Sequence, residues 1–198
     1  MDWLRKRQRL YWYDQYALNE QATAFAAYDP DRIAKELTDL GSDLVALYAG
    51  NQFGIAYYPS AIVPQHPGLA GRDYFGEVSS RLKAAGVRVI AYINWLNSAH
   101  PEWRVVPVGA FEAEVRKSAP LASWANPDLP EYCVQALPGG AWQVPCANSP
   151  RREQVVALAR EICEKYQPDA FHMDMFHCVE PCVCEFCRPS LEDRKSVV

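Results

Sequence analysis

The chain has 198 residues, 49% hydrophobic and 22% charged, with 20 basic against 24 acidic side chains and a formal charge of −4. This globular composition excludes disorder and collagen-like structure, and the acidic balance does not favour a nucleic-acid backbone or an anionic membrane as partner. No run approaches the roughly 18 apolar residues that a membrane span requires, and Arg5, Lys6, Arg7 and Arg9 stand where a signal peptide would need its apolar stretch, so a cytoplasmic protein is expected. Aromatic residues make up 12%, with six Trp and eleven Tyr, flat amphipathic rings that line ligand clefts, sugar sites among them, as well as cores.

Residues 10–16 read as an aromatic first strand. Tyr28-Asp29-Pro30 supplies an Asp N-cap with Pro at the first helical position; Ile33, Leu37 and Leu40 recur at helical spacing, and Gly41 ends the helix. The apolar run 44–48 is a second strand, of the kind buried on both faces in a parallel sheet. Residues 50–71 carry Gly, Pro, Asn and His without a period, a long loop of the sort that tends to serve function. A second helix spans 72–85, with Phe75, Val78, Leu82 and Ala85 on one stripe and Gly86 closing it, and a third strand spans 87–95. The loop 98–150, with a small hairpin near 137–144, leads to a third helix, 151–166, whose Val155, Leu158, Ala159 and Ile162 face inward. A fourth strand occupies 168–176.

Strands and helices alternate with crossovers long enough for parallel pairing, which makes this an α/β fold in one domain, 1–198, with a Cys-rich loop at 177–188. The long loops follow strands, whereas the turns out of helices (Leu40-Gly41-Ser42 and Ala85-Gly86) are short. The chemistry is therefore expected beyond the carboxyl ends of the strands. Two architectures fit, an open doubly wound sheet and a (β/α)8 barrel. Tyr13-Asp14-Gln15-Tyr16-Ala17 is no Gly-rich phosphate loop, which favours the barrel. A barrel needs about 250 residues, so about four strands and three helices suggest its N-terminal half, truncated. Such a piece has two unpaired sheet edges and an uncovered core, and self-association into a homo-oligomer is expected of it.

Along the fourth strand, alternation puts His172 and Asp174 on one face and Phe171, Met173 and Met175 on the other, with Asp174 nearer the carboxyl end. An ionised carboxylate is costly to bury unpaired, so Asp174 is either a catalytic group facing a pocket or a structural group bonded to loop amides. In that place a carboxylate can attack an anomeric carbon or stabilise an oxocarbenium-like transition state, given a second carboxyl group about 5–9.5 Å away. Asp14, Glu77 and Glu102 are the candidates in hand; Glu77 reads as a solvent-facing helix residue and Glu102 as a loop charge, which points to an acid/base in the missing half. Tyr58 and His66 after the second strand, Asn94, Trp95 and His100 at and after the end of the third, and His172, together with Asp14, are candidates for holding a polyol. A surface role for the loop histidines and a core role for Trp95 are the alternatives. Cys178, Cys182, Cys184 and Cys187 could give four thiolates to a structural Zn²⁺; three of them with His177, or unliganded thiols, are the other readings. Hydrolysis itself requires no cofactor.

Ala56-Tyr57-Tyr58-Pro59-Ser60, His66-Pro67-Gly68-Leu69, Gly71-Arg72-Asp73-Tyr74-Phe75-Gly76-Glu77, His100-Pro101-Glu102-Trp103, Asn148-Ser149-Pro150 and His172-Met173-Asp174-Met175-Phe176 occur in this order along the chain. Together with the aromatic first strand and Asp14 they resemble the hypothetical glycosyl hydrolase 6 family, which is distantly similar to the barrels of α-L-fucosidases and the α-amylase group. The resemblance implies a (β/α)8 domain, a carbohydrate substrate, and Asp174 in the nucleophile position of a glycoside hydrolase. A carbohydrate-binding or scaffold module without turnover, and a metal-binding interaction module built on the Cys cluster, are the rival functions.

Overall fold

The structure, a computed structural model, describes residues 8–17, 22–51, 54–94, 148–174 and Phe186. Strands β1 (Leu10–Tyr13), β2 (Leu44–Tyr48), β3 (Arg88–Asn94) and β4 (Ala170–Asp174) form one parallel sheet in the order β1-β2-β3-β4. Helices α1 (Pro30–Asp39), α2 (Tyr74–Ala84) and α3 (Arg151–Tyr166) alternate with them. This is the α/β arc that the alternation of the sequence predicts.

Local chemistry sets the boundaries. Asp29 caps α1 by accepting the Asp31 and Arg32 amides at 3.0 and 3.1 Å, and Pro30 fills the first turn, where no amide is needed. α2 begins at Tyr74, two residues later than periodicity suggests, because Asp73 is its cap and accepts from Gly76 N at 2.8 Å. Gly41 and Gly86 take φ of 70° and 79°, the left-handed turns that return α1 and α2 to the sheet. Leu40, expected on the buried stripe, lies past the last turn of α1 and is exposed. β1 ends at Tyr13 rather than at 16, because Tyr57 draws the next residues away from β2. Its hydroxyl donates to the Gln15 carbonyl at 2.8 Å and accepts from Ala17 N at 3.0 Å.

All five residues of β2 are buried. Val45, Leu47, Val89, Ala91 and Ile93 turn to the helical side and pack with Ile33, Leu37, Val78, Leu82, Val155, Leu158 and Ile162 in one core. The helices thus cover a single face, as in a barrel, rather than both faces, as in a doubly wound sheet. The opposite face is concave. Trp12 on β1 meets the His172 ring on β4 at a centroid separation of 4.6 Å, although a flat four-strand sheet would hold those backbones about 14 Å apart. No described helix is long and apolar enough to cross a membrane.

Candidate functional site

Because every pairing is in parallel register, side chains of one parity line up across the concave face. Tyr48 pairs with Tyr92, and Tyr92 with His172; one step further on, Asn94 pairs with Asp174. The Tyr48 and Tyr92 rings stack at 3.9 Å with 17° between planes, and Tyr92 lies parallel to His172 at 5.7 Å. Trp12 stands edge-on to all three rings, and Tyr16 is edge-on to Tyr48. Four strands thereby present a continuous aromatic floor at their carboxyl ends.

Two carboxylates are fixed above this floor in the same manner. The Tyr48 hydroxyl donates to Asp14 Oδ1 at 2.6 Å and accepts from Trp12 Nε1 at 3.4 Å. The Tyr92 hydroxyl donates to Asp174 Oδ2 at 2.7 Å and accepts from Asn94 Nδ2 at 3.0 Å. An N–H can only donate, so each phenol must direct its own proton to the carboxylate. Burial first, and then the hydrogen-bonded Asp14, push the Tyr48 hydroxyl well above the ordinary phenol range; burial and then Asp174 do the same to Tyr92. Both tyrosines therefore remain neutral donors throughout the physiological range. His172 Nε2 lies 3.9 Å from Asp174 Oδ1, an ion pair only when the imidazole is protonated, and the two side chains are 40% and 32% exposed. Asp174 thus faces the concavity rather than the helices, with solvent access.

Asp14, Asn94, His172 and Asp174 are brought together on this face, as their strand positions predict. Tyr58 and His66, expected among the residues holding a polyol, are not. Tyr58 is fully buried on the helical side, where its hydroxyl donates to Glu161 Oε2 at 2.7 Å. His66 is 1% exposed, lies against Phe25 and Tyr57, and caps the short 3-10 turn Pro67–Leu69 by accepting from Gly68 N at 3.1 Å. Both serve to fold the loop after β2 onto the helices. Glu77 lies in the first turn of α2, paired with Arg72 at 2.8 Å. Trp95, His100, Glu102 and the cysteines Cys178, Cys182, Cys184 and Cys187 lie outside the described residues. Among the described residues no group of three His, Cys, Asp or Glu side chains is placed to hold a metal ion. Trp12, Tyr16, Tyr48 and Tyr92 are the site residues that sequence reasoning missed. Their signal was present: Tyr48 ends β2 and Tyr92 lies two residues before the end of β3, where alternation and parallel register put both on the face of His172.

The parallel strand-helix arc is similar in fold to a solved structure. Alpha-L-fucosidase isoenzyme 2 from Paenibacillus thiaminolyticus superposes with a TM-score of 0.73 at 19% identity, over 96% of this chain and 26% of its own. An alpha-L-fucosidase from Bacteroides thetaiotaomicron is similar over 74% of this chain and 27% of its own, with a TM-score of 0.48 and 14% identity. The chain thus spans only 26% of the first fucosidase's length, which makes it a partial barrel by comparison, and at such identity the likeness is one of fold. No curated protein sequence matches it. The family description that does match covers residues 29–175, from the cap of α1 through β4 and Asp174, well over half of the chain. On that match, the chain belongs to the hypothetical glycosyl hydrolase 6 family.

Proposed function

We propose that this chain carries the carboxyl-end face of a glycoside hydrolase site and acts on an O-glycosidic bond, with Asp174 as nucleophile or charge stabiliser. The observation that carries the reading is the Asp174 carboxylate, set on the concave face at the end of β4 and tied through Oδ2 to the Tyr92 hydroxyl at 2.7 Å. That bond anchors Oδ2 and leaves Oδ1 on the His172 side, 3.9 Å from His172 Nε2, where an anomeric carbon would be received. Fixing a nucleophile before substrate arrives removes part of the orientational cost of reaction. An ionised carboxylate also stabilises positive charge developing on the sugar ring.

The remaining groups divide into those that bond hydroxyls and those that stack. Asp14 already accepts a hydrogen bond from the Tyr48 hydroxyl and is suited to accept another from a sugar hydroxyl. Trp12, 38% exposed, and Tyr16 offer ring faces and edges to the C–H side of a sugar. His172 offers an N–H donor beside the reacting carbon. A deoxyhexose of the kind named for the similar fucosidase is among the substrates to be tried, since an apolar methyl group would match so aromatic a floor.

The test is hydrolysis of a panel of aryl glycosides, aryl α-L-fucoside included, by the full chain and its Asp174→Asn variant. Turnover in the wild type and a loss of about 10³-fold or more in the variant is the expected outcome. Undiminished turnover in Asp174→Asn removes the assignment. Sugar binding by both proteins with hydrolysis by neither favours a carbohydrate-binding module instead.

A further inference from the structure

The residue that opens α3 takes no part in the chemistry above. Arg151 is 1% exposed and is the one fully buried cation among the described residues. Its Nη1 donates to Gln154 Oε1 at 2.5 Å and its Nη2 to the Asn94 carbonyl at 2.9 Å, both neutral acceptors. Its Nε is buried without a hydrogen-bond partner, and among the described residues no carboxylate compensates the charge. Burial lowers the guanidinium to about 10, which still leaves it protonated at neutral pH. A second, independent observation lies beside it: a cavity of about 10 Å³ between the ends of β2 and β3 and the start of α3, bounded by Gly50, Asn51, Ile93, Asn94, Arg151 and Leu158. The N-terminus of α3, where Ser149 Oγ accepts from Arg151 N at 3.3 Å, adds the positive end of a 16-residue helix at the same place.

We propose that this cavity binds one monoatomic anion, chloride under cellular conditions, as the counter-ion of Arg151. Size selects against phosphate or a carboxylate ligand, because about 10 Å³ is the space swept by roughly one water-sized body. Charge selects against water alone, which would satisfy Nε but leave a buried guanidinium unneutralised. On one side the backbone packs closely, since a Cβ at Gly50 would stand 2.6 Å from the Ile55 carbonyl oxygen. The site lies behind the catalytic face. The Asn94 carbonyl receives Arg151, while the Asn94 side chain donates to the Tyr92 hydroxyl.

Chloride binding is read without any substrate, so its outcome is independent of the hydrolase assignment. In ³⁵Cl NMR of the full chain the linewidth should show saturable broadening with a millimolar midpoint, reversed by bromide but not by sulfate. Thermal unfolding should rise by about 5 °C when chloride replaces gluconate at fixed ionic strength. Arg151→Met should lose both effects; if that variant does not fold, the bromide and sulfate arms decide on the wild type alone. Equal melting in chloride and gluconate, broadening that does not saturate, or displacement by sulfate as effective as by bromide would overturn the proposal and leave a water or a surface ion in its place.

Discussion

Glu161→Gln should lower the free energy of unfolding by about 2 kcal/mol at pH 7 and by far less at pH 2, a magnitude that follows from the linkage below. The Glu161 carboxylate on α3 gathers the whole loop after β2: it accepts from the Tyr58 hydroxyl at 2.7 Å, the Ser60 hydroxyl at 2.6 Å, the Ala61 amide at 2.7 Å and Lys165 Nζ at 3.2 Å. Desolvation alone would raise this carboxyl, but the bonds from Ala61, Ser60, Tyr58 and Lys165 outweigh it and bring it from an ordinary 4.5 down to about 2. Such a shift corresponds to about 3.4 kcal/mol at about 1.36 kcal/mol per pH unit. The neighbouring Lys165 is 42% exposed, so water screens part of that interaction, and about 2 kcal/mol is the discounted figure. Because the folded carboxyl titrates below the unfolded one, its contribution is complete above about pH 4.5 and is lost as pH falls through about 2. Glutamine keeps the volume but turns an amide N–H₂ towards groups that are themselves donors. Urea unfolding of wild type and variant at intervals from pH 7 to pH 2 measures the gap directly. A gap at pH 2 equal to that at pH 7, or one below about 0.5 kcal/mol at pH 7, would refute this account of the clamp.

Asp29→Ala should cost about 1 kcal/mol, since two first-turn amides of α1 lose their acceptor; faster hydrogen exchange confined to the Asp31 and Arg32 amides would register it. Tyr92→Phe keeps the stacked ring and removes only the hydroxyl that holds Asp174, so a fall in kcat of about 10-fold with KM nearly unchanged is expected. Thermal unfolding of that variant should move little, because one hydrogen bond nets about 1 kcal/mol. A rise in KM with kcat unchanged would show that Tyr92 binds substrate rather than positioning the carboxylate.

Much of the scaffold was legible because local chemistry and tertiary packing agree in it. The run Leu44–Tyr48 is apolar throughout because both faces are covered, and Asp29-Pro30 announces a helix start whose geometry needs nothing from afar. The orientation of His172 and Asp174 followed from a period of two. What could not be read were contacts between distant parts of the chain. Tyr58 looked like a loop hydroxyl on offer to a ligand, yet its acceptor, Glu161, lies 103 residues further on. His66 looked like a loop imidazole on offer to a ligand or to solvent; Phe25 and Tyr57, which enclose it, come from other segments. Arg151 reads as an ordinary polar residue in a first helical turn, and only the fold buries it.

The concave face holds two units of one plan, and the plan has a chemical consequence. In each, an N–H (the indole of Trp12 or the amide of Asn94) donates to a tyrosine hydroxyl, which donates in turn to a carboxylate. The hydrogen bonds run one way, from the strand interior towards the concave face, so both Asp14 and Asp174 are held there as acceptors of a tyrosine hydroxyl. Stacking at 3.9 Å holds the two tyrosines at a fixed spacing, and with them the two carboxylates. On the proposed function, a polyol entering between them would meet acceptors at both ends and aromatic carbon beneath. Simple burial of apolar surface would not require this arrangement, because Phe at 48 and 92 would pack as well and leave no hydroxyl to satisfy. The phenols are therefore explained by the carboxylates they hold, and the carboxylates by the concavity they face.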